Sequence, residues 1–183
     1  MESYLPSIIK QFEYYQSLGD KTFSQVDDES LFWQPNTESN SIAMVVRHMH
    51  GNMLSRWTEF LTSDGEKEWR KRDEEFDNDL SNREDMLAKW QEGWECLYSA
   101  IRPLKTDDLE KFVYIRNMGH TVLEAINRQL AHYAYHVGQI IFLGKLIQDN
   151  QWQSLSIPKG QSKTYNRDKF SKPRERKHFT DDL

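Results

Sequence analysis

The stretch Thr121-Val122-Leu123-Glu124-Ala125-Ile126-Asn127-Arg128-Gln129-Leu130-Ala131-His132-Tyr133-Ala134-Tyr135-His136-Val137-Gly138-Gln139-Ile140-Ile141-Phe142 decides how the rest of the chain is read. Val122, Ile126, Leu130, Tyr133, Val137 and Ile140 recur every three to four residues, the period of an amphipathic helix. Thr121 and Glu124 have the spacing of a capping box, in which each side chain satisfies a backbone amide at the helix start. The periodicity predicts a helix to about residue 148. Inside it, His132 and His136 stand at i and i+4, so both imidazoles lie on one face, close enough to chelate one metal ion. An isolated H-x-x-x-H is equally compatible with two packed core imidazoles. Here Leu130, Tyr133, Val137 and Ile140 place both rings beside the apolar stripe, where a polar group needs a partner.

Three further amphipathic segments precede it. Leu5, Ile8, Ile9, Phe12, Tyr15 and Leu18 predict a helix over 3–24. Ser39-Asn40-Ser41 offers cap chemistry for a second, which Ile42, Val45, Val46, Met49, Met53, Trp57, Phe60 and Leu61 carry to about residue 62. Ser81 and Glu84 match another capping box, followed by Leu87, Trp90, Trp94, Leu97, Tyr98 and Ile101 up to Pro103. Residues 25–38 read as a loop with a short helical turn, and Phe112 to Gly119 as a short strand or hairpin. Residues 63–80, with eight acids and four bases, read as a solvated loop with room for a helical turn. The expected architecture is all-α: an up-down-down-up-type four-helix bundle with long loops and a polar C-terminal tail. Residues 1–150 form the bundle, and 151–183 a basic extension that packs on it or is partly disordered.

Composition agrees. Hydrophobic residues are 37% of the 183, but 13% are aromatic, and large rings bury much area from few positions. Eight glycines and five prolines are few for a turn-rich β protein. The net charge of −5 divides unevenly: from Ser156 onward the chain carries eight basic and four acidic residues, leaving a body at −9. An acidic body argues against a nucleic-acid surface. The single cysteine, Cys96, excludes a disulfide framework or a multi-thiolate zinc site; between Trp94 and Tyr98 it reads as a buried, inert thiol. No basic-then-apolar leader and no membrane-length apolar run is visible, so a cytoplasmic location is expected.

A third ligand is needed to complete a metal site. His48 shares a face with Val45 and Asn52. His50 lies about 200° away on an ideal helix, beside Val46, Met53 and Leu54. At most one of the two can join, and helical phase does not choose between them. His120 and His178 read as solvated, and Trp57, Trp90, Trp94, Tyr133 and Tyr135 as core or rim packing. Position 133 is Tyr, so the H-E-x-x-H of zinc peptidases and its glutamate base are absent. Asn52, Gln129 and Gln139 are polar neighbours able to orient ligands, substrate or water; no catalytic residue is assigned.

The pattern Ser41-Ile42 … His48 … Asn52 … Trp57, followed by His132-Tyr133-Ala134-Tyr135-His136-Val137-Gly138-Gln139-Ile140, resembles the DinB/YfiT superfamily over roughly residues 1–150. Ile157-Pro158-Lys159-Gly160-Gln161-Ser162 fits a largely uncharacterised branch of it. The resemblance implies a four-helix bundle with a three-histidine site of His48, His132 and His136, selecting His48 over His50. It implies a divalent metal, zinc or nickel, and metal-dependent chemistry on a small molecule. That chemistry is transfer or isomerisation with a low-molecular-weight thiol, or hydrolysis. It also implies a homodimer. The contrasting expectation is a non-catalytic, metal-binding or stress-associated dimeric interaction protein.

Overall fold

In the computed structural model, which describes residues 3–182, the four apolar stripes form four long helices: α1 (Tyr4–Phe23), α2 (Ile42–Trp57), α3 (Arg83–Ile101) and α4 (Val122–Gln148). A short fifth, α5 (Ser162–Phe170), follows. The only sheet among the described residues is the two-stranded antiparallel hairpin β1 (Phe112–Ile115) and β2 (Met118–Thr121), in which Val113 pairs with His120. The protein is therefore mostly helical. No helix among the described residues is long and apolar enough to cross a membrane.

The helices start where the cap chemistry places them. Ser41 accepts from the Met44 amide at 3.1 Å. Thr121 and Glu124 exchange backbone bonds at 2.8 and 3.1 Å, so Glu124 is occupied as a cap. Two boundaries differ from expectation. The third helix is capped by Asn82, whose Oδ1 accepts from the Asp85 amide at 2.9 Å, and not by the Ser81/Glu84 pair. Asn is as good a cap as Ser, so one residue of shift costs nothing. The second helix stops at Trp57 rather than near 62, because the chain reverses at Glu59, whose φ is 51°. Phe60 still keeps its apolar contact by folding back onto the Trp57 ring at 4.8 Å.

The core lies between these helices. α2 packs on α3, α1 on α4, and α2 and α1 also meet α4 and α3. The aromatic residues concentrate at its centre. Trp94 is enclosed by the rings of Phe12, Trp90, Tyr98 and Tyr133 at 5.4–6.3 Å. Tyr133, fully buried, accepts from Trp57 Nε1 at 2.9 Å and donates to Asn52 Oδ1 at 3.1 Å. The polar ends of these residues are thus paired with each other inside an apolar centre, one turn from the histidines.

The basic extension holds α5, which its weak periodicity did not announce. Its end returns to α1: His178 Nε2 lies 3.0 Å from Ser7 Oγ, Lys10 pairs with Asp181, and Phe179 packs edge-on to Tyr14 at 5.6 Å. His178 is accordingly half-buried rather than solvated.

Tyr133→Phe removes the hydroxyl that joins Trp57 to Asn52 and leaves two buried polar groups unpaired. The expected cost is about 1–3 kcal/mol, read as a fall in Tm at about 2–4 °C per kcal/mol for a chain of this size. An unchanged Tm would show that the triad contributes nothing to stability.

Candidate metal centre

α4 delivers His132 and His136 from successive turns, and α2 delivers His48 across from them. The three rings meet with His48 and His136 centroids 4.8 Å apart and His132 and His136 centroids 4.6 Å apart. One nitrogen from each lies within 4.8 Å of the others. His132 Nε2 is 3.0 Å from His136 Nε2 and 3.5 Å from His48 Nε2. His48 and His136 are buried at 5% and 8% exposure, and His132 is half-buried. The three histidines singled out in the sequence are thus brought together and could hold a metal ion. His50 is not among them: its Nε2 lies 2.8 Å from Glu92 on α3. His120 is half-buried, with its Nε2 3.0 Å from Arg128 Nη1.

The other side of each ring decides what faces inward. His48 Nδ1 lies 2.9 Å from Glu75 Oε2, and His136 Nδ1 lies 3.1 Å from Gln139 Oε1. Both partners are acceptors, so each Nδ1 carries the proton and each Nε2 presents a lone pair. Burial, then the neighbouring histidines, push the His132 pKa down to about 3. Burial and His48 push that of His136 down to about 4. His132 and His136 are therefore neutral near pH 7, and a neutral imidazole with a free nitrogen lone pair is the donor that a divalent cation requires.

Glu75 comes from the acidic stretch 63–80, which is half exposed as its composition suggests and makes one helical turn at Asp73–Phe76, but which turns Gly65, Arg70 and Glu75 inward. The carboxylate is buried and takes a two-pronged contact from Arg70, Nε to Oε1 at 2.7 Å and Nη2 to Oε2 at 2.8 Å. Burial raises its pKa, but the hydrogen bonds from His48 and Arg70 outweigh this and hold it below the usual carboxylate value. Phe76 stacks on the His48 ring at 4.8 Å. The signal for this arrangement was Gly51, in mid-helix one turn from His48. A Cβ there would lie 2.2 Å from Glu75 Oε1, so only glycine leaves room for the carboxylate. A glycine inside a helix carries a helical penalty and so points to such a close approach.

The same stretch is fastened at its start. Ser55 Oγ donates to Gly65 O at 2.7 Å and accepts from the Lys67 amide at 3.3 Å. Gly65 N donates to Tyr114 O at 2.8 Å. Asp64 accepts the Arg116 and Asn117 amides of the hairpin turn, both at 2.8 Å. Those two residues have φ of 55° and 59°, the left-handed pair of a tight hairpin. The loop and the hairpin thereby close over the histidines and leave a cavity of about 270 Å³, lined by His48, His132, Asn52, Gln129 and five arginines. Asn52 and Gln129, both expected as polar neighbours, are buried on its wall. Gln139 instead sits behind His136. Cys96 is half-buried, burial raises its pKa, and it is not among the residues lining the cavity.

Long-range proton–nitrogen NMR of the imidazoles is expected to show His48 and His136 as Nδ1–H tautomers, with the His48 tautomer losing its preference in Gly51→Ala. An Nε2–H form of His48 in the wild type would contradict the arrangement.

No curated protein and no solved structure matches the chain. A family model described as "Protein of unknown function (DUF1572)" matches residues 1–161, which span all four long helices, the hairpin and the Ile157–Gln161 segment. The chain belongs to the DUF1572 family.

Proposed function

We propose that His48, His132 and His136 hold a divalent metal, zinc or nickel, in an enzyme that transfers a low-molecular-weight thiol to a small electrophilic substrate, on an up-down-down-up four-helix scaffold of the DinB/YfiT type. One observation carries the metal reading: the Nδ1 protons of His48 and His136 are committed to Glu75 and Gln139, so Nε2 lone pairs face each other at a half-buried point. Both lone pairs point toward His132 Nε2, at 3.5 and 3.0 Å, so the point between the three rings takes either a cation or the proton of His132 Nε2. Three neutral imidazoles suit a borderline divalent ion and leave coordination positions open. When bound, the ion supplies a Lewis-acid centre beside the cavity.

The cavity supports an enzyme over a closed binding module, since polar groups converge on it. Its lining favours thiol transfer over hydrolysis. Among the described residues it contains no Asp or Glu to take a proton from water, and Glu75 is turned away onto His48 and Arg70. A thiol needs less help, because surrounding arginines lower its pKa and favour the thiolate. The thiol proton passes to solvent, the sulfur lone pair forms the new bond to the electrophilic carbon, and the leaving group departs with its bonding pair. Asn52 and Gln129 orient the reactants.

Elemental mass spectrometry of untagged protein is expected to find near-stoichiometric metal that is absent from His132→Ala and His136→Ala; wild-type protein that takes up no metal on reconstitution would sink the reading. Glu75→Gln should weaken zinc binding about 10–100-fold, measured by competition with a chromophoric chelator, because it no longer fixes the His48 ring. Assays of thiol conjugation beside ester and amide hydrolysis decide the reaction: conjugation that disappears with the metal is expected, and hydrolysis alone would replace transfer.

A further inference from the structure

Five guanidinium groups, from Arg56, Arg70, Arg72, Arg116 and Arg128, line the one small cavity that opens on His48 and His132. They do so in a chain whose body is net acidic. They arrive from four separate parts of the fold: α2, the 63–80 loop, the hairpin turn and α4. Such a convergence is costly unless something negative offsets it, since like charges in a half-enclosed space repel.

The protein's own carboxylates do not offset it. Glu66 Oε2 is shared by Arg56, Arg70 and Arg116 at 3.1, 3.4 and 3.2 Å. Glu75 is taken by Arg70 and His48. Arg72 pairs with the fully exposed Asp73 at 3.6 Å and lies over the Phe76 ring at 5.3 Å. Arg128 contacts an imidazole, His120, and no carboxylate within ion-pair distance among the described residues. Burial and the Arg70 charge already lower the pKa of Arg56. One buried donor on this wall also lacks a partner: Arg56 Nε, on a residue that is 7% exposed.

We propose that this cavity is an anion site that takes the carboxylate or phosphate group of the small molecule acted on beside the histidines. Planar guanidinium forks match both groups, and charge-assisted bonds to them are the strong ones. A cavity of about 270 Å³ admits such a headgroup but not a polymer. Arg72, Arg116 and Arg128, the accessible members, would capture the anion; Arg56 defines its floor. The role of this anion as substrate rests on the metal-centre reading above, but the site itself stands on the arginines alone.

Isothermal titration with inorganic phosphate and, separately, malonate tests it, on chelator-treated and zinc-reconstituted protein. Saturable one-to-one binding that weakens with added salt is expected for at least one of the two, and the tighter anion identifies the headgroup. Arg116→Gln with Arg128→Gln should weaken it about tenfold or more. The same charge change placed outside the cavity lining, Lys145→Gln with Lys159→Gln, should leave it unaltered. Circular dichroism checks that both double variants keep wild-type helicity. No saturable binding of either anion, or equal loss in both double variants, overturns the proposal. Anion binding by a protein that takes up neither zinc nor nickel on reconstitution would uphold this site and remove the metal reading; metal binding without anion binding would do the reverse.

Discussion

The bond between His48 Nδ1 and Glu75, braced by the two-pronged contact of Arg70, is the interaction on which the rest of the site depends. It fixes the tautomer of the α2 histidine, so that the opposite nitrogen faces His132 and His136. It also draws a highly charged loop down onto the helices, which a surface ion pair would be too weak to do. Burial makes the contact consequential. A buried carboxylate must be fully satisfied, and two donors plus the room left by Gly51 satisfy this one.

Behind the histidines the support is of another kind. Trp57, Tyr133 and Asn52 link α2 and α4 through hydrogen bonds in an otherwise apolar centre. Phe12 and Trp94 pack against the Tyr133 ring. Sequence spacing places His132 and His136 on either side of Tyr133, so the buried hydroxyl and the aromatic packing set the depth of both imidazoles. Rigid helices carry the donor atoms, while the loop and hairpin supply the charge.

The helical part of this was legible from the chain because helices are local. The 3.6-residue period, the Ser41 and Thr121 caps and the H-x-x-x-H spacing all act within a few residues. The choice of His48 over His50 was not legible from phase, since both faces of α2 carry apolar neighbours; it followed from a resemblance, and the structure separates them by giving His50 to Glu92. The role of 63–80 was hidden for a physical reason. A segment rich in Asp, Glu, Lys and Arg looks solvated when its charges are counted singly, and only the fold brings Arg70 to Glu75 and Asp64 to the hairpin turn. Likewise the arginine cavity has no sequence signature, because its five members are scattered between positions 56 and 128.

The hairpin turn held by Asp64 has a consequence for how such a site can diversify. Three of the five arginines, Arg70, Arg72 and Arg116, sit on the loop or on the turn it clasps, whereas the histidines sit on helices whose other faces form the core. Most of the arginines and all three histidines therefore lie on different parts of the chain, joined at Glu75. Surface loops tolerate replacement far better than packed helices. A change of loop sequence can retune which molecule is admitted and leave the donor atoms where they are, provided that a carboxylate still reaches His48.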